Sequence, residues 1–255
     1  MPHIVDLPRD IPGLSSMPVS PLAQLDTVWL HGAGLAGDTW GPMIKEFPRA
    51  LTPDLPGHGS APLVSSPRVE IYADALSNDV PQGAVLIGHS LGGMVALELA
   101  ARMQDQIKAL VLIETVPTLR DRLSGQISAS IAAGVFRSIP TSWFAWLPGL
   151  GQCQETRTEL RRQMARTDRM RIAAALEAAA YYDGRPYLPH INVPTLVIVG
   201  KKDTATHHGA KLIAERINEA EFLKLPGGHM LHTDNPVQLK RSIEAFLREA
   251  VPTNP

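Results

Sequence analysis

The chain has 255 residues, 44% of them hydrophobic, and a formal net charge of −1. That length suits one α/β domain with an insertion, and the even charge gives no footing for nucleic acid or an acidic surface. A single cysteine, Cys153, excludes an internal disulfide, and no apolar run reaches the ~18–20 residues of a membrane span.

Taken in chain order, residues 1–25 are broken by prolines and lack a charged-then-apolar secretory pattern. They predict an irregular lead-in and a cytoplasmic protein. Residues 27–30 (TVWL) form the first buried-strand candidate and run into His31-Gly32-Ala33-Gly34. A helix is expected over 39–47, a weak strand over 49–52, and a turn at Asp54-Leu55-Pro56-Gly57-His58-Gly59. A helix over 69–78 precedes a strand over 84–87, then Gly88-His89-Ser90-Leu91-Gly92 and a helix over 94–103. Strands over 109–113, 195–199 and 221–225, with helices over 209–217 and 237–250, complete the pattern.

Continuous apolar runs such as LVLI and TLVIV suit parallel strands covered on both faces. The alternation predicts an α/β fold: a mostly parallel central sheet flanked by helices, with ligands bound beyond the carboxyl ends of its strands. Between residues 116 and 190 the alternation stops. QISASIAAGVF, ETRTELRRQMART and RMRIAAALEAAAYY are helical in character, with prolines between the first and second and after the third. They predict a helical cap over 116–190, inserted into a core formed by 1–115 and 191–255. The insertion carries ten arginines and six acids. A solvated face laced with Arg–Glu pairs is the plain explanation, and attraction of anionic substrates or acyl carriers the sharper one.

Ser90 stands where a buried strand gives way to a helix, in a turn tight enough to require glycine on both sides. Such a turn lifts the hydroxyl clear of the sheet, near a helix N-terminus that favours negative charge. A serine hydroxyl is a weak nucleophile until a base takes its proton, and the base needs an orienting carboxylate. Asp203 follows one strand end in GKKD, and His229 follows the next in LPGGH. Glu114 is the alternative acid, helix capping the alternative role for Asp203, and His232 the alternative base. An oxyanion needs at least two donors; the Leu91 amide at the helix start and the Ala33 amide in the glycine-rich loop are the candidates. His58 is read as structural, Cys153 as a passive thiol, and His207 and His208 lack the spacing of a zinc site. Trp40, Trp143, Phe144, Trp146, Tyr181 and Tyr182 either wall an apolar substrate pocket or pack cap onto sheet.

HGAG, DLPGHG, GHSLGG, the GKKD turn and the GGH turn, in this order, resemble the α/β-hydrolase fold superfamily over residues 26–247. The resemblance implies Ser90 as nucleophile, His229 as base, Asp203 as its partner, and the Ala33 and Leu91 amides as oxyanion hole. It also implies that the insertion is the variable cap that forms the acyl pocket, with Trp40, Trp143, Trp146 and Tyr181 as substrate-binding candidates. Two features depart from the family pattern: the usual leading pair of antiparallel strands is eroded by prolines, and the acid turn reads KKDTATHH without its commoner proline.

The expected function is hydrolysis of a small or medium carboxylic ester through an acyl-enzyme. A lactonase, for example of acyl-homoserine lactones, a thioesterase, a C–C bond hydrolase and cofactor-free peroxide chemistry use the same machinery. A non-catalytic ligand receptor is the rival from another class. The serine argues against dehalogenase and epoxide hydrolase chemistry, which needs a carboxylate nucleophile. No metal or organic cofactor is expected, and the expected partner is a small-molecule ester or lactone, with no nucleic acid and no membrane.

Overall fold

The computed structural model describes residues 21–120 and 154–251. Six strands form one parallel sheet: β1 (Thr27–Leu30), β2 (Ala50–Leu51), β3 (Ala84–His89), β4 (Ile107–Ile113), β5 (Thr195–Gly200) and β6 (Glu221–Leu225), in the spatial order β2-β1-β3-β4-β5-β6. Every neighbouring pair is parallel.

Alternation within the apolar runs builds two core layers. Leu86, Leu110, Leu112, Val197 and Val199 face one side; Val85, Ile87, Ala109, Val111, Ile113, Leu196 and Ile198 face the other. Burying each large aliphatic side chain is worth about 1.5–3 kcal/mol, so a sheet covered on both faces needs no polar side to hold it in register.

Helix α1 (Val69–Ser77) and α2 (Leu91–Arg102) cover the first face. Helix α2 is buried from Leu91 to Ala100, and its one buried charge, Glu98, is held by Arg102 one turn on, at 2.5 Å. A C-terminal helix, Pro236–Ala250, covers the other face with Leu239, Ile243, Phe246 and Leu247, the stripe that a 3.6-residue period aligns.

Between β4 and β5 the described residues form α3 (Gln154–Ala165), α4 (Arg169–Tyr181) and a 3-10 segment, Arg185–His190. Asp168 caps α4 by accepting from the Met170 amide at 2.6 Å. The ends of this excursion are stitched together where Thr118 bridges Asp183 and the Gly184 amide donates to Pro117 O at 2.8 Å. Leu160 and Ile172 of its helices pack on Leu35 and Met230, which flank the carboxyl ends of β1 and β6. QISASIAAGVF, Trp143, Phe144, Trp146 and Cys153 lie outside the described residues, as does most of the lead-in. No helix among the described residues is long and apolar enough to cross a membrane.

One expected element is absent. The helix over 39–47 is a single 3-10 turn, Gly37–Trp40, followed by further turns. Pro42 has no N–H to give the Asp38 carbonyl, which takes the Gly41 amide at 3.2 Å instead. The apolar spacing there is real but serves turns: Trp40, Met43 and Phe47 all reach the core. The helix expected over 209–217 starts five residues early. We label it α5 (Thr204–Arg216).

Candidate active site

Ser90 links β3 to α2 with φ of 54°, a left-handed conformation that costs a non-glycine residue strain. The turn closes because Gly88 lies against the backbone of Gly92 and Gly93, where an added Cβ would sit 2.5 Å from Gly92 O. The outcome is a hydroxyl at the carboxyl edge of the sheet beside the first amides of α2. Leu91 is the first residue of that helix, so its N–H has no acceptor within the helix.

His229 reaches Ser90 from the loop after β6. Its Nε2 lies 3.1 Å from Ser90 Oγ and its Nδ1 2.6 Å from Asp203 Oδ2. With an anionic carboxylate at Nδ1, that nitrogen carries the proton and Nε2 is left to accept from the serine. Burial opposes charge on Asp203, but the His229 hydrogen bond and charge hold its carboxyl below the usual range, with help from Glu114 and Thr206. Asp203 does occupy the N-cap position of α5, yet makes no side-chain cap bond there because its carboxylate is turned to His229.

The alternative residues fall elsewhere. His232 is buried with Nε2 3.1 Å from Thr39 Oγ1, and its ring packs on Trp40 and His89. Glu114 does not touch His229 through a hydrogen bond; its oxygens take the Gly200 amide and Thr206 Oγ1. His207 donates to Gly200 O at 2.8 Å. Trp40 is fully buried between Trp29, at 5.2 Å between ring centres, and His232 at 5.1 Å. It has no surface to offer a substrate, because the 3-10 turn points it into the core. Tyr182 is buried likewise, whereas Tyr181 is 45% exposed with the Arg68 guanidinium stacked 3.9 Å from its ring. Arg162 and Arg166 pair with Asp38, and Arg185 with Asp183, the pattern of a solvated face.

Two of the sequence motifs meet in a contact that their separate spacing conceals. His31 Nε2 accepts from the Leu55 amide at 3.0 Å, and His58 Nε2 accepts from the Gly34 amide at 3.1 Å. Each imidazole points its Nδ1 at a main-chain carbonyl, Gly32 O and Pro56 O respectively. The HGAG and DLPGHG loops thus brace each other through two neutral imidazoles, and Asp54 adds a bond from the Gly37 amide at 2.9 Å. With Gly34 held by His58 and Leu35 by Gly32 O, Ala33 sits at the bend between them. A further histidine, His89, donates from Nε2 to His229 O at 2.8 Å, anchoring the base's own backbone.

These buried imidazoles make stability sensitive to acid. Burial, then the charge of His58, pushes His31 down to about 3; burial, then His229, pushes His232 down to about 4. His58 and His89 are lowered for the same reason. The folded state therefore binds fewer protons than the unfolded chain once pH drops below the ordinary histidine value of 6.5. The contribution of these imidazoles is full above that value and is lost as pH falls toward 4, at about 1.4 kcal/mol per pH unit for each of His31 and His232. Urea titrations at stepped pH should show this loss before carboxylates of ordinary pKa begin to protonate. A flat stability across the window would contradict it.

Comparison with known proteins adds an independent line. A model described as the alpha/beta hydrolase family matches residues 27–241. The pimeloyl-[acyl-carrier protein] methyl ester esterase of Aromatoleum aromaticum is 31% identical over 246 residues, covering 88% of this chain and 98% of that protein. The protein of the same name from Chromobacterium violaceum is 30% identical over 216 residues, covering 79% and 85%. Among solved structures, MenH from S. aureus superposes with a TM-score of 0.80 at 24% identity, over 88% of this chain and 93% of that one.

Proposed function

The chain belongs to the alpha/beta hydrolase family, and from that membership we propose that it hydrolyses a carboxylic ester through an acyl-enzyme on Ser90. The observation that carries this reading is the continuous line from Ser90 Oγ through His229 to Asp203, at 3.1 and 2.6 Å.

His229 Nε2 takes the Ser90 proton as Oγ attacks the ester carbonyl. The tetrahedral oxyanion is held by the Ala33 and Leu91 amides, in a loop braced by His31 and His58 and at the start of α2. His229 then gives its proton to the departing alkoxide, and the alcohol leaves. Water enters, loses a proton to the same nitrogen and cleaves the acyl bond, which restores Ser90 and releases the acid. Residues 116–190 act as the cap, and packing of Leu160 and Ile172 on Leu35 and Met230 seats its described helices beside both loops.

The names of the relatives direct substrate choice toward a small alcohol leaving group, such as methanol from an acyl methyl ester. The test compares kcat/KM on acyl methyl esters, aryl esters, acyl thioesters, acyl-homoserine lactones and ring-cleavage diketones, alongside fluorophosphonate labelling. Esters should lead the series, and stoichiometric labelling of Ser90 should abolish turnover. A leading diketone, or labelling of a protein that turns nothing over, would replace this reading with a C–C hydrolase or a receptor.

A further inference from the structure

Glu114 closes β4 in a left-handed conformation, φ of 50°, and is 1% exposed. Sequence alone makes it a rival to Asp203, but the structure places it behind that residue. One oxygen, Oε1, takes the Gly200 amide; the other, Oε2, lies 2.7 Å from Thr206 Oγ1. Thr206 Oγ1 is in turn 3.2 Å from Asp203 Oδ2, the oxygen that holds His229 Nδ1. Glu114, Asp203 and His229 each present a donor or acceptor atom within 4.8 Å of the other two.

We propose that Glu114 is a positioning residue for the hydrolytic line: protonated, it donates to Thr206, so that the one Thr206 hydroxyl proton is free to hold Asp203 toward His229. The proposal rests on the roles assigned above to Ser90, His229 and Asp203. A hydroxyl has a single proton, and here three acceptors compete for it: Glu114 Oε2 at 2.7 Å, Asp203 O at 3.1 Å and Asp203 Oδ2 at 3.2 Å. An ionised Glu114, at the shortest distance, draws that proton to itself. Asp203 then loses a donor and gains a like charge at close range. A protonated Glu114 reverses both effects, and a hydrogen-bonded chain runs from Glu114 through Thr206, Asp203 and His229 to Ser90.

The surroundings favour the protonated form. The titratable groups facing Glu114 are Asp203 from the loop after β5 and His229 from the loop after β6. His207 on α5 is tied to Gly200 O, and Lys201 and Lys202 of the same loop are exposed. Burial, then the charge of Asp203 and a direct side-chain interaction with it, push the Glu114 carboxyl up to about 8, against the lowering effect of the Thr206 and Gly200 bonds. A left-handed backbone at a buried carboxyl is strain of the kind that persists where the surroundings over-determine a position.

The experiment uses the full chain with Glu114→Gln and Thr206→Val, measuring kcat and KM on an aryl ester from about pH 6 to about pH 10. The amide of Glu114→Gln can donate as the protonated acid does, so its kcat near neutral pH should stay within about threefold of wild type. Wild type should lose activity above about pH 8 as Glu114 ionises, and Glu114→Gln should lack that decline. Thr206→Val, which removes the link at nearly constant volume, should lower kcat about tenfold or more with KM little changed. An infrared difference spectrum of wild type against Glu114→Gln should contain the carbonyl band of a protonated carboxylic acid that titrates away over the same pH range. Absence of that band, an alkaline decline that survives in Glu114→Gln, or a loss in Glu114→Gln beyond about a hundredfold, overturns the proposal. The infrared band needs no substrate. Wild-type protein that carries it yet hydrolyses no ester overturns the assigned roles first, and the proposal with them.

Discussion

Ser90→Ala should lower kcat on esters by about 10⁴–10⁶-fold while leaving the fold intact. The substitution removes the only atom in the line able to form the acyl-enzyme, and His229 alone has no comparable nucleophile to activate. A remnant of about 10³-fold over water is expected from the oxyanion amides and binding, because the Ala33 loop and Leu91 do not depend on the hydroxyl. Stability has little to lose. Among the described residues the Ser90 side chain makes one hydrogen bond, to a histidine whose side chain is 40% exposed, and caps no amide of α2. The strain at φ of 54° persists with either residue. Urea midpoints of the two proteins should therefore agree within experimental spread while their turnover differs by orders of magnitude. Turnover within tenfold of wild type would remove Ser90 from the chemistry.

What the sequence reveals of this molecule follows the range of each interaction. Strands buried on both faces announce themselves as apolar runs, and β1, β3, β4, β5 and β6 fall close to where LVLI, TLVIV and their kin predict. Ser90, Asp203 and His229 are legible because a parallel sheet delivers its strand ends to one edge, so three local turns become one site. The helix expected over 39–47 is misjudged because apolar spacing there outweighs Pro42, whose missing N–H the backbone cannot ignore. The mutual bracing of His31 and His58 is hidden for a different reason: each reaches an amide 24 residues away, beyond any periodic signal. Trp40 looks like a pocket wall from its place after the glycine loop, and only the direction of a 3-10 turn decides that it belongs to the core. Thr206 carries no sequence signal at all. Its importance comes from standing between two carboxyl groups brought together from β4 and the loop after β5.

Asp203→Asn separates two roles that this position supports, and should lower kcat by about 10⁴-fold at neutral pH. An amide at the Asp203 position can turn its NH₂ toward His229 Nδ1, making that nitrogen the acceptor and moving the ring proton to Nε2. The base then meets the Ser90 hydroxyl with a proton already in place. It also loses the negative charge that stabilises the imidazolium formed when Ser90 attacks. Capping is unaffected by comparison, since asparagine suits a helix N-cap about as well as aspartate and the Asp203 side chain makes no cap bond to begin with. A large fall in kcat with an unchanged unfolding midpoint thus marks chemistry, whereas a parallel loss of both marks a structural cap. Glu114 cannot take over: its two oxygens are committed to the Gly200 amide and Thr206, and neither makes a hydrogen bond to His229. Near-normal turnover in Asp203→Asn, joined to an inactive Glu114→Gln, would transfer the orienting role to β4.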